Sequence, residues 1–405
     1  MLLAQAASPV NYDEAKVGVY TLPNPLLLAN GELVRDKAAW ENKRRPEIVK
    51  LFETNMYGRV PDTARHVGAN FEVVEEDRHA LNGKAIRKQV VASLPGETFT
   101  ILIYLPVSSK PVPVFLALNF TGNHTVLSDP AIRLADIWDA KTKTHHTAPE
   151  QSRGSSTQWQ VEKMLARGYG LATVYYQEIE PDFEGGIEFG VRASYPKPAA
   201  DEWGAISAWA LGMTRTMDYL LRDRDVDSKR IIAMGHSRLG KTALWAGAQD
   251  TRFAMVIAAG SGEGGAALSR RDFGETIELL NQRFPHWTCD NYKKYSGHAE
   301  RLPFDQHELL ALIAPRPLYL AAAEDDKWAD PKDEFLSAIA AGRVYELFGK
   351  QGLEGSDLPA LQKPIMNTIG FHIRPGKHEV TAYDWDQFLN FADKQLPTSS
   401  SPSAR

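Results

Sequence analysis

Apolar residues in this chain gather in short, nearly unbroken runs. Pro113 to Phe120, Leu171 to Tyr176, Arg230 to Met234, Phe253 to Ala259, Pro317 to Ala323 and Gly370 to Ile373 all have this character. Such runs mark strands buried on both faces. Stretches of helical character alternate with them: Trp159 to Ala166, Glu202 to Leu221 and Lys241 to Gln249. An earlier helix is predicted from Trp40 to Tyr57, where Trp40, Ile48, Leu51 and Phe52 form a stripe at helical spacing. Alternation of strands and helices predicts a mostly parallel sheet covered on both faces.

The first third differs. Phe71 to Val74, Ile86 to Ala92 and Phe99 to Leu105 read as strands, with a turn at Pro95-Gly96, and predict an antiparallel start to the sheet. Residues 1–34 read as an extended N-terminal segment and 35–396 as one catalytic domain. Surface insertions are expected near 128–156 and 264–310, and a disordered tail at 397–405.

Composition narrows the class. The 405 residues carry a formal net charge of −5, with 43% apolar and 24% charged residues. That excludes disorder of the whole chain and gives no basic stripe for nucleic acid. No apolar run reaches the roughly 18–20 residues of a membrane span. The single cysteine, Cys289, allows no intrachain disulfide and no cysteine-based metal site. It is read as a packing residue. His145 and His146 are adjacent and point apart, so no metal is expected. Ala4-Gln5-Ala6 has the small-residue character of a signal-peptide end, which predicts a secreted or periplasmic protein.

The strongest local signal is Met234-Gly235-His236-Ser237-Arg238-Leu239-Gly240-Lys241. A buried strand runs through Gly-His-Ser straight into a helix. This predicts the nucleophile elbow of an α/β-hydrolase, a three-layer sandwich whose sharp turn lifts the serine oxygen above the sheet; the motif alone also fits a serine that caps a helix in a Rossmann-like fold. The match to G-x-S-x-G is incomplete: Leu239 holds the place of the second glycine, which has moved to Gly240. A serine needs a base and an orienting acid, in the chain order Ser, acid, His. His378, in the loop past Pro375-Gly376, is the expected base; His372 lies within a strand and is read as a core residue. The acid should follow the Leu318–Ala323 strand, where Glu324, Asp325, Asp326 and Asp330 compete and spacing does not separate them. Asp326 is favoured. The backbone N–H of Arg238 and a donor near Thr121 are expected to bind the oxyanion. The Arg238 guanidinium either assists them or pairs with a nearby carboxylate.

These residues resemble the glucuronoyl esterases, carbohydrate esterase family 15. The resemblance rests on Gly235-x-Ser237-Arg238-x-Gly240-Lys241, Trp40 with Arg44 to Ile48, Tyr57-Gly58, Gly168 to Gly170, Gly264 to Arg271, and Trp328 to Pro331. It runs from about residue 35 to 395, on the bacterial branch. It implies a serine esterase without metal or cofactor, cleaving the ester between a 4-O-methyl-glucuronoyl group of glucuronoxylan and a lignin alcohol. Ser237 would be nucleophile, His378 base and Arg238 an oxyanion donor; Lys241, Glu275 and Trp328 would contact the uronoyl sugar. Many members carry the acid just before a Ser-Gly-x-Gly-Gly stretch, but here that residue is Gly260. Other bacterial members place an aspartate after the next strand, which corresponds to Asp326; Glu263 is the fallback. The expected protein is a monomer with no nucleic-acid or membrane partner. The alternatives are an acetyl-xylan or cephalosporin-type deacetylase, or a non-catalytic carbohydrate-binding homologue.

Overall fold

Among the described residues there are twelve strands: β1 (Asn70–His79), β2 (Ala85–Leu94), β3 (Glu97–Pro106), β4 (Val112–Asn119), β5 (Asp136–Asp139), β6 (Thr144–Thr147), β7 (Gly170–Tyr175), β8 (Val226–His236), β9 (Met255–Ala259), β10 (Leu318–Ala323), β11 (Ile365–Met366) and β12 (Ile369–Arg374). In the computed structural model, which describes residues 10–397, ten of them form one sheet in the order β1-β2-β3-β7-β4-β8-β9-β10-β12-β11. β7, β4, β8, β9, β10 and β12 run parallel. β1, β2 and β3 form an antiparallel meander that joins at β7. The Ala4-Gln5-Ala6 sequence and residues 398–405 of the expected tail lie outside the described residues.

The apolar runs are strands buried on both faces, and their alternate residues separate cleanly. Val114, Leu116 and Leu118 of β4, Ile231 and Ala233 of β8, and Leu318 and Leu320 of β10 enter one core. Phe115, Ala117, Ile232, Met234, Tyr319 and Ala321 enter the other. The period of two puts successive side chains on opposite faces. The first core is closed by helices Ala205–Leu220, Arg238–Gln249 and Pro331–Leu347. The second is closed by Val161–Ala166 and Ala382–Gln395, through Met164, Trp385 and Phe388. This is the three-layer α/β-hydrolase sandwich.

Several expectations are adjusted. The first helix begins at Lys37 and ends at Asn55, with one wide turn where the Arg45 N–H reaches back to the Trp40 carbonyl. The 128–156 segment holds the exposed β5–β6 hairpin. The 264–310 segment is not a surface insertion. Ala266, Ile277, Leu280, Trp287, Tyr292 and Phe304 are all buried in the larger core, so this stretch closes the sheet over its C-terminal edge. Residues 10–34 hold a 3-10 turn at Glu14–Lys16 and are anchored: the Gly274 N–H donates to the Asn11 carbonyl at 2.9 Å, and Glu14 pairs with Arg271 and Lys332. Among the described residues no helix is long and apolar enough to cross a membrane.

The elbow explains the displaced glycine. Gly235 is obligatory, because an added Cβ would lie 1.9 Å from the Leu239 carbonyl oxygen. Gly240 takes the close approach on the far side, where a Cβ would meet Ser261 Cβ at 3.1 Å. Leu239 turns away from the crowded turn and is buried in the larger core. Restoring the general motif with Leu239→Gly should therefore destabilise the protein. Loss of a buried leucine costs roughly 2–5 kcal/mol, and a helix glycine adds up to about 1 kcal/mol. A urea-unfolding midpoint equal to wild type would contradict this.

Candidate active site

Ser237 sits at the end of β8 with φ 56° and ψ −131°, in the left-handed half of the map that only glycine enters freely. Its own N–H donates to the Ala259 carbonyl at 2.9 Å, and its carbonyl accepts from the Gly240 and Lys241 N–H groups. The turn is thus held by β9 on one side and by the first turn of the Arg238–Gln249 helix on the other. Ser237 opens on a cleft of about 430 Å³ lined by Phe120, Thr121, Ser155, His236, Arg238 and His378, among others.

His378 Nδ1 lies 2.6 Å from Asp326 Oδ2. The aspartate is buried and the imidazole is 38% exposed, so one edge of the ring is fixed and the other faces the cleft. The loops that carry them continue the β10–β12 pairing: the Glu324 N–H donates to the Arg374 carbonyl and the Asp325 N–H to the Gly376 carbonyl. Arg374 then ties the base loop down. Its guanidinium pairs with Asp384 and donates to the carbonyls of Pro375, Lys377 and Glu379. Beneath His378 lies His236, with ring centroids 4.5 Å apart. Burial pushes the His236 pKa down to about 3, so it is a neutral floor. The Ser237 hydroxyl is not hydrogen-bonded to His378; such contacts are often long in ligand-free sites and tighten in the Michaelis complex.

The competing acids separate in space. Glu324 and Asp325 are exposed. Asp330 pairs with Arg271 at 2.8 Å and caps the Pro331–Leu347 helix. Glu263, the fallback, is buried with Tyr292 and Ser269 donating to it, and is not in hydrogen-bond contact with His378. Burial pushes it up to about 8. Gly260 lies where its residue type matters: a Cβ there would sit 3.2 Å from Asp326 Oδ2 and 3.3 Å from His378 Nδ1. The two alternative acid positions converge on one edge of the imidazole.

The Arg238 guanidinium pairs with a carboxylate, Asp182, and lies over the rings of Trp287 at 4.9 Å and Phe284 at 5.5 Å. Asp182 is a hub. Tyr176 OH and Trp287 Nε1 donate to it at 2.8 and 2.6 Å, and His286 Nε2 is 2.9 Å away. Burial opposes its ionisation, but His286, Arg238 and Trp287 outweigh that and hold its pKa at about 2. The backbone N–H groups of Thr121 and Arg238 are not taken up by hydrogen bonds within the described residues. Sequence reasoning passed over Asp182, His286 and Trp287. Their one signal was the Phe284-Pro285-His286-Trp287 aromatic cluster, which nothing local ties to Ser237.

Lys241, Glu275 and Trp328 form a separate group beside this cleft rather than lining it. Lys241 Nζ donates to the Ser261 carbonyl at 2.7 Å and lies 3.7 Å from Glu275 Oε2, with both side chains buried. Burial lowers the Lys241 pKa and raises that of Glu275. Trp287 joins this group to Arg238, because Lys241 Nζ stands 5.7 Å from the same indole. Trp328 is partly exposed, with Arg283 4.4 Å over its ring. Cys289 is buried and its thiol is pushed up to about 11, mainly by burial.

Comparison with known proteins follows the geometry. A family model described as fungal glucuronyl esterase matches residues 195–349. A carbohydrate esterase from an unknown prokaryotic organism is 48% identical, over 95% of this chain and 92% of its own length. The solved glucuronoyl esterase from Solibacter usitatus is 50% identical, with TM-score 0.90 over 95% of this chain and all of that one. A solved esterase of carbohydrate esterase family 15 from a marine bacterial metagenome, titled promiscuous, is 46% identical with TM-score 0.88 over 96% of this chain and all of that one.

Arg374→Gln should leave the Asp384 carboxylate without its guanidinium partner and release the base loop. The expected loss is roughly 3–5 kcal/mol of stability, read from urea unfolding. Unchanged stability would show that the loop is held by its backbone contacts alone.

Proposed function

The chain belongs to the glucuronoyl esterases of carbohydrate esterase family 15 and is a carboxylic ester hydrolase; from that premise we propose that it acts through a Ser237–His378–Asp326 triad. The observation that carries this reading is the 2.6 Å His378–Asp326 contact at the mouth of the cleft on which the strained Ser237 opens. Asp326 fixes the imidazole so that Nδ1 keeps its proton and Nε2 faces Ser237. His378 takes the Ser237 proton as the oxygen attacks the ester carbonyl. The tetrahedral oxyanion forms against the Arg238 and Thr121 N–H groups, with the Arg238 guanidinium held beside them by Asp182. His378 then protonates the departing alcohol. Water, deprotonated by the same imidazole, attacks the acyl-enzyme and releases the free uronic acid.

The acyl group is proposed to be 4-O-methyl-glucuronoyl, borne by glucuronoxylan, and the alcohol to come from lignin. Lys241 and Glu275 would hydrogen-bond sugar hydroxyls, and Trp328 would offer its face to the ring or the methyl ether. Both sugar-directed charges already neutralise each other, so the pocket would take the sugar without leaving a buried ion unpaired. Such a polymeric ester would be met outside the cytoplasm.

The decisive measurement is hydrolysis of benzyl glucuronate beside 4-nitrophenyl acetate. Ser237→Ala should lose all turnover above background, and Asp326→Asn should lower kcat by about 10⁴-fold with the fold retained. Fast acetate turnover with none on the glucuronate would move the substrate to the deacetylase class. Full activity of Ser237→Ala would remove the mechanism altogether. Asp182→Asn should lower kcat on the glucuronate more than it raises KM, because Asp182 acts through Arg238 on the transition state. An effect on KM alone would assign Asp182 to ground-state binding.

A further inference from the structure

A second concavity opens on the same edge of the sheet. It has a volume of about 240 Å³, below the roughly 300–1,000 Å³ of pockets for drug-sized ligands and of a size for one sugar ring. One loop separates it from the cleft: Thr121 lines the Ser237 side, and Asn123, two residues on, lines this pocket. The Asn123 side chain donates to the Thr100 carbonyl at 2.8 Å and accepts from Asn119, so the partition is fixed.

The lining combines an aromatic wall with polar groups that have capacity to spare. Trp138, carried on the β5–β6 hairpin, packs against Phe189 at 5.2 Å and Phe183 at 5.7 Å. Facing it are Glu97, Arg133, Gln177 and Glu178. One oxygen of Glu178 accepts from the Thr100 N–H at 2.7 Å; the other makes no hydrogen bond to the described residues. The Arg133 guanidinium and the Gln177 side-chain NH₂ also have no such partner. Burial pushes Glu178 up to about 7, which lets it donate as well as accept near neutrality.

We propose that this pocket is a saccharide subsite, binding a neutral pyranose unit of the polysaccharide that bears the ester. The proposal rests on the glucuronoyl-ester reading above. A partly exposed aromatic wall of Trp138, with the His145 ring 4.8 Å from it, beside carboxyl, amide and guanidinium groups suits the apolar surface and the equatorial hydroxyls of a pyranose. Glu97 and Asp136 set against Arg133 and His145 leave no excess of positive charge to attract a second uronate. The pocket also reaches the catalytic machinery. Gln177 Oε1 accepts from the Asp182 N–H at 3.3 Å, and Asp182 holds Arg238.

The test compares two esters and one plain sugar. Arg133→Ala and Trp138→Ala should raise KM about tenfold for a glucuronate ester carried on a xylo-oligosaccharide, with benzyl glucuronate kinetics unchanged. In the Ser237→Ala protein, a neutral xylo-oligosaccharide should bind, and Trp138→Ala or Arg133→Ala should weaken that binding by a similar factor. Equal KM values for wild type and both variants on the oligosaccharide ester, or sugar binding indifferent to both substitutions, would overturn the subsite. If benzyl glucuronate proves not to be a substrate, the glucuronoyl reading fails, and the direct titration still decides the pocket on its own.

Discussion

Everything at this site depends on holding a non-glycine residue in a conformation it disfavours. Ser237 at φ 56° is a backbone strain of order 1–3 kcal/mol. It persists because both flanks are over-determined. β8 is buried on both faces between β4 and β9, and the helix that follows packs its apolar side into the larger core. Two glycines, Gly235 and Gly240, provide the close approaches, and Leu239 is free to serve the core. The strain places the hydroxyl above the sheet with a helix N-terminus behind it, where negative charge develops in the reaction.

A second theme is the use of buried ion pairs as positioning devices. Arg374–Asp384 pins the loop of His378, Asp182 pins Arg238, and Arg271–Asp330 pins the start of the Pro331–Leu347 helix next to Asp326. A buried pair contributes little net stability compared with apolar packing, but it fixes geometry by direction and charge. Each of these pairs joins two separate segments: the end of β12 to the Ala382–Gln395 helix, the Asp182 loop to the start of the Arg238–Gln249 helix, and the Arg271 loop to the cap of the Pro331–Leu347 helix. Their collective effect is to make the C-terminal edge of the sheet rigid, although it is built almost wholly of loops.

The 264–310 segment and the β5–β6 hairpin give that edge its shape. The first brings Trp287 beneath both Arg238 and Lys241, so the two cations share one aromatic base. The second raises Trp138 beside a neighbouring concavity.

The sequence alone determined the layers and the elbow. Unbroken apolar runs have few fates other than buried parallel strands, and Gly-x-Ser between a strand and a helix has a local physical cause. The helix Pro331–Leu347 was not legible, because it is buried on several sides and shows no clean stripe. The helix Ala382–Gln395 has a local start signal, the Thr381–Asp384 capping box, which went unread in the sequence. Among the four clustered acids Glu324, Asp325, Asp326 and Asp330, spacing did not separate one from another. Only the parallel pairing of β10 and β12, carried on into the loops, brings Asp326 to His378 across 52 residues. The same holds for Asp182, which meets Arg238 and Trp287 from 56 and 105 residues away. Contacts at such separations leave no periodic trace in a sequence, because they are set by how strands are ordered in the sheet rather than by the residues beside them.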